Sequence, residues 1–357
     1  MRYPKRLAQG DKIGVTATSS GFETEIDLVR LESGIRHFKE LGYPVIETSN
    51  VRKYSKGRSS DGRTRAKEFM DLVKDPEISV IYAASGGDFL VEMLPFLEEK
   101  LIRENPTWVQ GFSDTTGLTF TITTNLDIAT IYGNNFSSFG MDHWHPSLTD
   151  NVKLLEGEEI MQHSFDRFQD GYKKRITGLE EFELDAEVCW RNLRPADGER
   201  TGAPIPGDME ELPSSEEEIL LEGRALGGCL DVLLCLVGTR FDKTVEFIER
   251  YKEDGIVWFL ESYDLSSEAL TRGLWQLKEA GWFQYARGFI FGRPAMFHSE
   301  YDTTYEEAVR SVLEELQLPI ILDADIGHKP PQLTMINGAI LHLHSRNKKG
   351  TILFERR

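Results

Sequence analysis

Three apolar runs in the first third of the chain end in the same way, and this repetition limits the fold more than any other feature. Lys12 to Thr18 (KIGVTAT) runs into Ser19-Ser20-Gly21, Ile78 to Ala84 (ISVIYAA) into Ser85-Gly86-Gly87, and Thr107 to Phe112 (TWVQGF) into Ser113-Asp114. Each run is short for a helix and is bounded by turn residues, so each reads as a strand. Val45-Ile46 and Ile128 to Tyr132 add two more. Between them, Glu25 to Leu41 carries Ile26, Val29, Ile35 and Phe38 at helical spacing and stops at Gly42. Asp61 is placed to cap a helix reaching about Val73, and a further helix is expected from Gly87 through Leu97. Strands joined through helices make a mainly parallel sheet, which carries ligands at the carboxyl ends of its strands. The three Ser/Gly turns are therefore expected along one edge.

The rest of the chain is less regular at first. A helix from about Leu148 to Met161 leaves this region, and Gln169 to Glu222 is polar, with few strong elements. The block Asp208 to Glu222 has seven acidic residues and no basic one, and reads as an exposed loop. The α/β rhythm returns at Leu226. Leu230 to Val237 reads as a helix, Gly255 to Leu260 as a buried strand followed by a helix through Trp282, and Gly288 to Phe291 and Pro319 to Leu322 as strands. Ala339 to His344 and Thr351 to Phe354 alternate like a hairpin. The expected class is α/β: a Rossmann-like parallel-sheet domain, flavodoxin- or glutamine-amidotransferase-like, over 1–165, a linker and insertion over 166–225, and a smaller strand-rich α/β domain over 226–357.

Composition narrows the partners. A net charge of −18 argues against nucleic acid, whose phosphates the chain would repel. No apolar run is long enough to cross a membrane, and the N-terminus, Met1-Arg2-Tyr3-Pro4-Lys5-Arg6-Leu7, lacks the apolar core of a secretion signal. Cys189, Cys229 and Cys235 are odd in number and have no metal-ligand spacing, which suits a reducing compartment. A cytoplasmic protein without cofactor or metal is expected. Cys229 and Cys235 read as small core residues on a helix. The pairs His143/His145 and His342/His344 read as surface or loop residues rather than metal ligands. The basic stretch Arg52, Lys53, Lys56, Arg58, Arg63, Arg65 reads as a solvated loop.

The chemistry centres on Ser113. A serine at a sharp strand-to-helix turn holds its hydroxyl at the sheet edge, beside a helix start that favours negative charge. Gly111-Phe112-Ser113-Asp114-Thr115 has the first glycine of the G-x-S-x-G nucleophile motif but not the second. On spacing alone a helix N-cap is the better reading. Two distant residues change the balance. Glu261 stands at the end of an apolar strand, and His328 follows another within Gly327-His328-Lys329-Pro330-Pro331. A serine nucleophile needs a base, and the base needs an orienting carboxylate.

These residues resemble a known family. Gly111-Phe112-Ser113-Asp114-x-Thr116, the strand end Phe259-Leu260-Glu261, and Gly327-His328 with a later Asn337-Gly338 are similar to the LD-carboxypeptidases, which include murein LD-carboxypeptidases and microcin C immunity peptidases. Gly10-Asp11-Lys12-Ile13-Gly14-Val15, Gly86-Gly87 and Leu226-Gly227-Gly228 support the match, which runs in order along essentially the whole chain. The resemblance implies a Ser-Glu-His triad of Ser113, Glu261 and His328. It also implies an oxyanion hole from the backbone N–H groups of Gly87 and Asp114, and a homodimer. The implied substrate is either a murein peptide, cut at the L,D bond before a terminal D-alanine, or an acidic amino acid joined to a nucleotide-like group. Gly86 and Trp190 are substrate-binding candidates. Trp190, in a polar stretch, either stacks on an adenine-like ring or anchors its loop. Two positions depart from the immunity type: Cys229 stands where members often carry Asn, and Leu265 where a lysine would follow Glu261 by four. The readings outside this family are a non-catalytic protein that binds a nucleotide or amino acid, and a glutaminase-like amidotransferase, whose chemistry wants Cys where Ser113 stands.

Overall fold

The computed structural model describes residues 1–195, 209–211 and 218–357. The chain forms two compact units that interleave in sequence. The first comprises Met1–Ile160, Tyr172–Glu183 and Thr334–Gly338. The second comprises Met161–Gly171, Leu184–Leu333 and Ala339–Arg357. The chain thus passes between the units five times, returning twice to the first.

The first unit is built on the predicted sheet. β1 (Lys12–Thr16), β2 (Val45–Glu47), β3 (Ile78–Ala83), β4 (Trp108–Gly111) and β5 (Thr130–Tyr132) run parallel in the order β5-β4-β3-β1-β2. The short strand Met335–Asn337 closes the β5 edge in the antiparallel sense. Every residue of β3 is buried, so both faces of the sheet are covered, which is why the strand is a continuous apolar run rather than an alternating one. Helix α1 (Glu25–Glu40) begins with a reciprocal Thr24–Asp27 capping box. Helix α2 (Gly62–Lys74) begins where expected, with Asp61 accepting the Thr64 N–H. The helix expected after Gly87 is instead two 3-10 turns, Leu90–Glu92 and Leu94–Phe96. The Phe89 and Leu90 N–H groups go to the Ser19 hydroxyl and the Asp114 carboxylate, away from any helix, and Pro95 has no N–H to offer. Helix α3 (Thr116–Leu126) follows β4 after a 3-10 turn at Ser113–Thr115, and α4 (Pro146–Glu156) ends at Gly157.

The second unit holds a larger mixed sheet. At its centre β6 (Glu218–Cys229), β7 (Ile256–Glu261), β8 (Ala286–Gly292) and β9 (Ile320–Ala324) are parallel neighbours. Antiparallel strands extend it on both sides. β10 (Ile340–Arg346) and β11 (Lys349–Glu355) form the predicted hairpin beside β6, and Arg191–Pro195 pairs with β9. The acidic block divides. Asp208 and 212–217 lie outside the described residues, whereas Glu218 to Glu222 open β6. That part is a strand, not a loop: Ile219 and Leu221 point inward and Leu220 outward, the two-residue period of a half-buried strand. Behind β7 the rings of Trp258 and Trp282 stack at 5.8 Å. The unit's helices include α5 (Leu230–Leu236), α6 (Ser267–Glu279) and α7 (Tyr305–Leu313). On α5, Leu230, Leu233 and Leu236 are buried and Cys235 faces solvent, so only Cys229, at the end of β6, is a core residue. Full burial of one such large apolar side chain contributes about 1.5–3 kcal/mol.

Candidate active site

Ser113 has φ +62°, in the left-handed region. That conformation costs a residue with a Cβ about 1–2 kcal/mol and persists only where the surroundings dictate it. Here they do. The Phe112 N–H donates to Asn135 Oδ1 at 3.1 Å, and the Ser113 N–H points to the Tyr132 hydroxyl at 3.5 Å. A methyl carbon on Gly111 would stand 2.7 Å from both Asn135 Oδ1 and the Thr115 side chain, so the turn closes only over a glycine. Ser113 lies inside the 3-10 turn, and neither Phe112 nor Thr115, the two cap positions, makes a side-chain cap bond. The N-cap reading of Ser113 therefore does not describe the turn.

The three Ser/Gly turns meet. Ser20 donates its N–H to the Gly86 carbonyl at 3.2 Å, and the Ser85 hydroxyl donates to the Ser20 carbonyl at 2.8 Å. A methyl carbon on Gly86 would lie 3.3 Å from both Cβ and Oγ of Ser113. Gly87 has φ +148° and packs against Ser19. Asp114 is buried and accepts the Leu90 N–H at 2.9 Å, tying the Gly87 turn to the serine turn. Burial pushes its carboxyl up, against the bonds from Ser19 and the Leu90 N–H that favour the charged form. The N-terminal end of α3, one 3-10 turn beyond Ser113, adds the positive end of a helix dipole.

In the second unit, Glu261 is the last residue of β7 and is fully buried. Its Oε2 lies 2.8 Å from Nδ1 of His328, in the loop after β9. Gly327 has φ +92°, and a methyl carbon there would stand 2.5 Å from Glu261 Oε2, so the glycine lets the loop lie on the carboxylate. Asp325 holds the loop. Its carboxylate accepts Arg293 at 2.7 Å, Trp190 Nε1 at 3.0 Å and the Phe165 N–H at 3.3 Å. Burial alone would push the His328 pKa down, but the Glu261 charge and hydrogen bond, with Asp231 beyond, outweigh it and the value is raised. With Nδ1–H donated to Glu261, Nε2 keeps the lone pair and is the basic atom.

The sequence candidates thus fall in two groups: Ser113, Asp114, Gly86 and Gly87 in the first unit, Glu261 and His328 in the second. Trp190 is 1% exposed, and a methyl carbon on Gly350 would overlap its ring. Its ring packs inside the second unit and its Nε1 donates to Asp325, as the loop-anchor reading expects. The basic stretch is largely consumed internally: Arg52 pairs with Glu32 and Glu47, and Arg58 and Arg65 with Glu92. His143 meets Glu181, and His342 and His344 meet Glu355 and Glu218. Sequence reasoning missed Asn135, Tyr132, Asp231 and Tyr263. Asp231, in the first turn of α5 directly after a strand end, carried a signal of the kind used for Glu261.

Comparison with known proteins places the chain in a family. Residues 13–133 match the LD-carboxypeptidase N-terminal domain, and residues 222–343 the LD-carboxypeptidase C-terminal domain. The Microcin C7 self-immunity protein MccF of Escherichia coli is 27% identical, over 97% of this chain and 94% of that protein. A probable murein peptide carboxypeptidase of Bacillus subtilis is 23% identical, over 98% and 93%. The structure of MccF in complex with aspartyl sulfamoyl adenosine superposes with a TM-score of 0.75 at 24% identity, covering 99% of this chain and 98% of that one. No helix among the described residues is long and apolar enough to cross a membrane. Two matched domains in order, with relatives along almost the full length, make this chain a serine carboxypeptidase that belongs to the LD-carboxypeptidase family.

Proposed function

We propose that the chain hydrolyses an amide through an acyl-enzyme formed on Ser113. Ser113 Oγ attacks the carbonyl carbon while His328 Nε2 takes its proton, and Glu261 stabilises the imidazolium through Nδ1. The backbone N–H groups of Gly87 and Asp114 hold the oxyanion; a donor of this kind is typically worth about 10²–10³ in rate. The C–N bond then breaks, the proton passes from His328 to the leaving amine, and water cleaves the ester by the same steps in reverse order. The observation that carries this reading is the 2.8 Å contact between a fully buried Glu261 and His328, which leaves one basic nitrogen on a fixed ring.

The substrate classes are a murein-type L,D-peptide and an aminoacyl-nucleotide, in line with the two named relatives and the ligand of the MccF structure. Mass spectrometry of a murein tetrapeptide and of aspartyl sulfamoyl adenosine, each incubated with the protein, separates them. The Ser113→Ala variant is expected to keep its circular dichroism and lose all turnover. Unchanged turnover in Ser113→Ala removes the nucleophile assignment. Saturable binding without product, and no reaction of Ser113 with a fluorophosphonate, would make the protein a binding module.

A further inference from the structure

His328 is held by more than Glu261. The hydrogen bond at Nδ1 fixes one point on the imidazole, and where the Nε2 lone pair is aimed depends also on what lies against the face of the ring. A second restraint lies on the face of the ring: the Tyr263 ring centroid is 4.8 Å from that of His328, with the planes at 44°. Tyr263 is itself 48% exposed, so packing does not explain why it stays there. Its backbone does. The Tyr263 N–H donates to Asp231 Oδ2 at 2.9 Å, the Asp264 N–H donates to Asp231 Oδ1 at 3.0 Å, and the Tyr263 carbonyl accepts the Met296 N–H at 2.7 Å. One carboxylate therefore grips two successive backbone N–H groups, two and three residues beyond Glu261.

We propose that Asp231 is a positioning residue for the His328 base, holding the Tyr263 ring against the imidazole through the backbone of residues 263 and 264; this rests on the reading of His328 as the base. Cys229 links the parts. It lies opposite Glu261 in the β6–β7 ladder, and its Sγ is 3.5 Å from Asp231 Oδ2. Burial first, then the charges of Glu261 and Asp231, push the thiol well above its ordinary value, so it keeps its proton between the two carboxylates. The charges that act on His328 are those of Glu261 and Asp231; along its loop Lys329 is paired with Asp170 at 2.8 Å and Arg293 with Asp325 at 2.7 Å.

The test needs no knowledge of the substrate. A fluorophosphonate reacts with an activated serine: Oγ forms a bond to phosphorus, fluoride leaves, and the base takes the proton. Its rate against pH reads the ionisation of His328. Asp231→Asn keeps the size of the side chain, but the amide nitrogen faces an N–H it cannot accept. We expect the maximal labelling rate to fall about tenfold, the cost of a small misplacement of a reacting group. Half-saturating probe concentration should stay within about twofold of wild type. The acid limb should move to lower pH, because a negative charge that favours the imidazolium is gone. A residue that only supports the fold would change the melting temperature and leave that limb in place. Tyr263→Ala should show the same loss of rate, and Tyr263→Phe, which keeps the ring, should restore it; these two carry the test if Asp231→Asn fails to fold. Wild-type rates and limbs in both Asp231→Asn and Tyr263→Ala, with His328→Asn unreactive, overturn the inference alone. A reactive His328→Asn overturns the base assignment beneath it.

Discussion

Gly86→Ala separates the chemistry of the serine turn from its stability. Gly86 does not have a positive φ, so alanine fits its backbone. The added methyl meets Ser113 Cβ and Oγ at 3.3 Å, and its next neighbour is Asn135 Nδ2 at 3.9 Å. A contact of that length is tight by a few tenths of an ångström, not impossible, and the fold should lose less than about 1 kcal/mol. The backbone beneath the nucleophile resists adjustment, because its left-handed conformation is clamped through Phe112 and Asn135. Displacement of the hydroxyl by a fraction of an ångström should lower the fluorophosphonate labelling rate about tenfold or more, since a 1 Å misplacement is worth about 10². Gly87→Ala is the contrast. There φ is +148° and the methyl would lie 2.4 Å from Ser19 Oγ and 3.0 Å from the Ser20 nitrogen. That variant should lose about 2 kcal/mol or more of stability along with its activity. Thermal unfolding and labelling kinetics on both proteins decide it. A Gly86→Ala protein that melts and labels like wild type would refute the claim that the Gly86 turn bears on the nucleophile.

Three further expectations follow from the same geometry. The Glu261–His328 pairing should stabilise fully below the ordinary histidine pKa of about 6.5 and fade as pH rises through the raised folded value, while labelling climbs over that same interval. The melting-temperature difference between wild type and His328→Asn, followed against pH, should shrink as the rate grows, and a difference that widens with pH would refute it. Trp190→Phe should cost about 1–3 kcal/mol, because Asp325 loses a buried donor; chemical denaturation measures it, and an unchanged midpoint would show that Trp190 is no anchor. Ser113→Gly should be more stable than Ser113→Ala by about 1 kcal/mol, since glycine has no penalty at φ +62°; equal midpoints would mean the turn relaxes once the hydroxyl is gone.

The strands were legible because their signals are local: β1, β3, β4 and β7 are apolar runs cut by turn residues, and each forms where the pattern puts it. The helix after Gly87 was misread because the donors it needed are taken by Ser19 and Asp114, which no local window contains. Ser113 was legible only in company, through Glu261 and His328. Asn135 was not legible, and Asp231 only by its place after a strand end, because each acts on peptide groups far along the chain, at Phe112 and at Tyr263. An asparagine or aspartate has no periodicity to betray which backbone it serves. Trp190 was legible only as two alternatives, because polar neighbours in sequence say nothing about the buried carboxylate its indole reaches.

The strand Met335–Asn337 has a consequence for how the protein is made. It pairs with β5, the neighbour of the strand that leads to Ser113, yet it is synthesised after nearly all of the second unit. A ribosome-bound chain therefore presents the first unit's sheet with an unpaired β5 edge until residues 335–337 have emerged. Open edges of this kind recruit other strands. Slow or stalled synthesis beyond Leu333 should expose the newborn chain to aggregation at β5, and a fragment ending near Ile160 inherits the same open edge permanently.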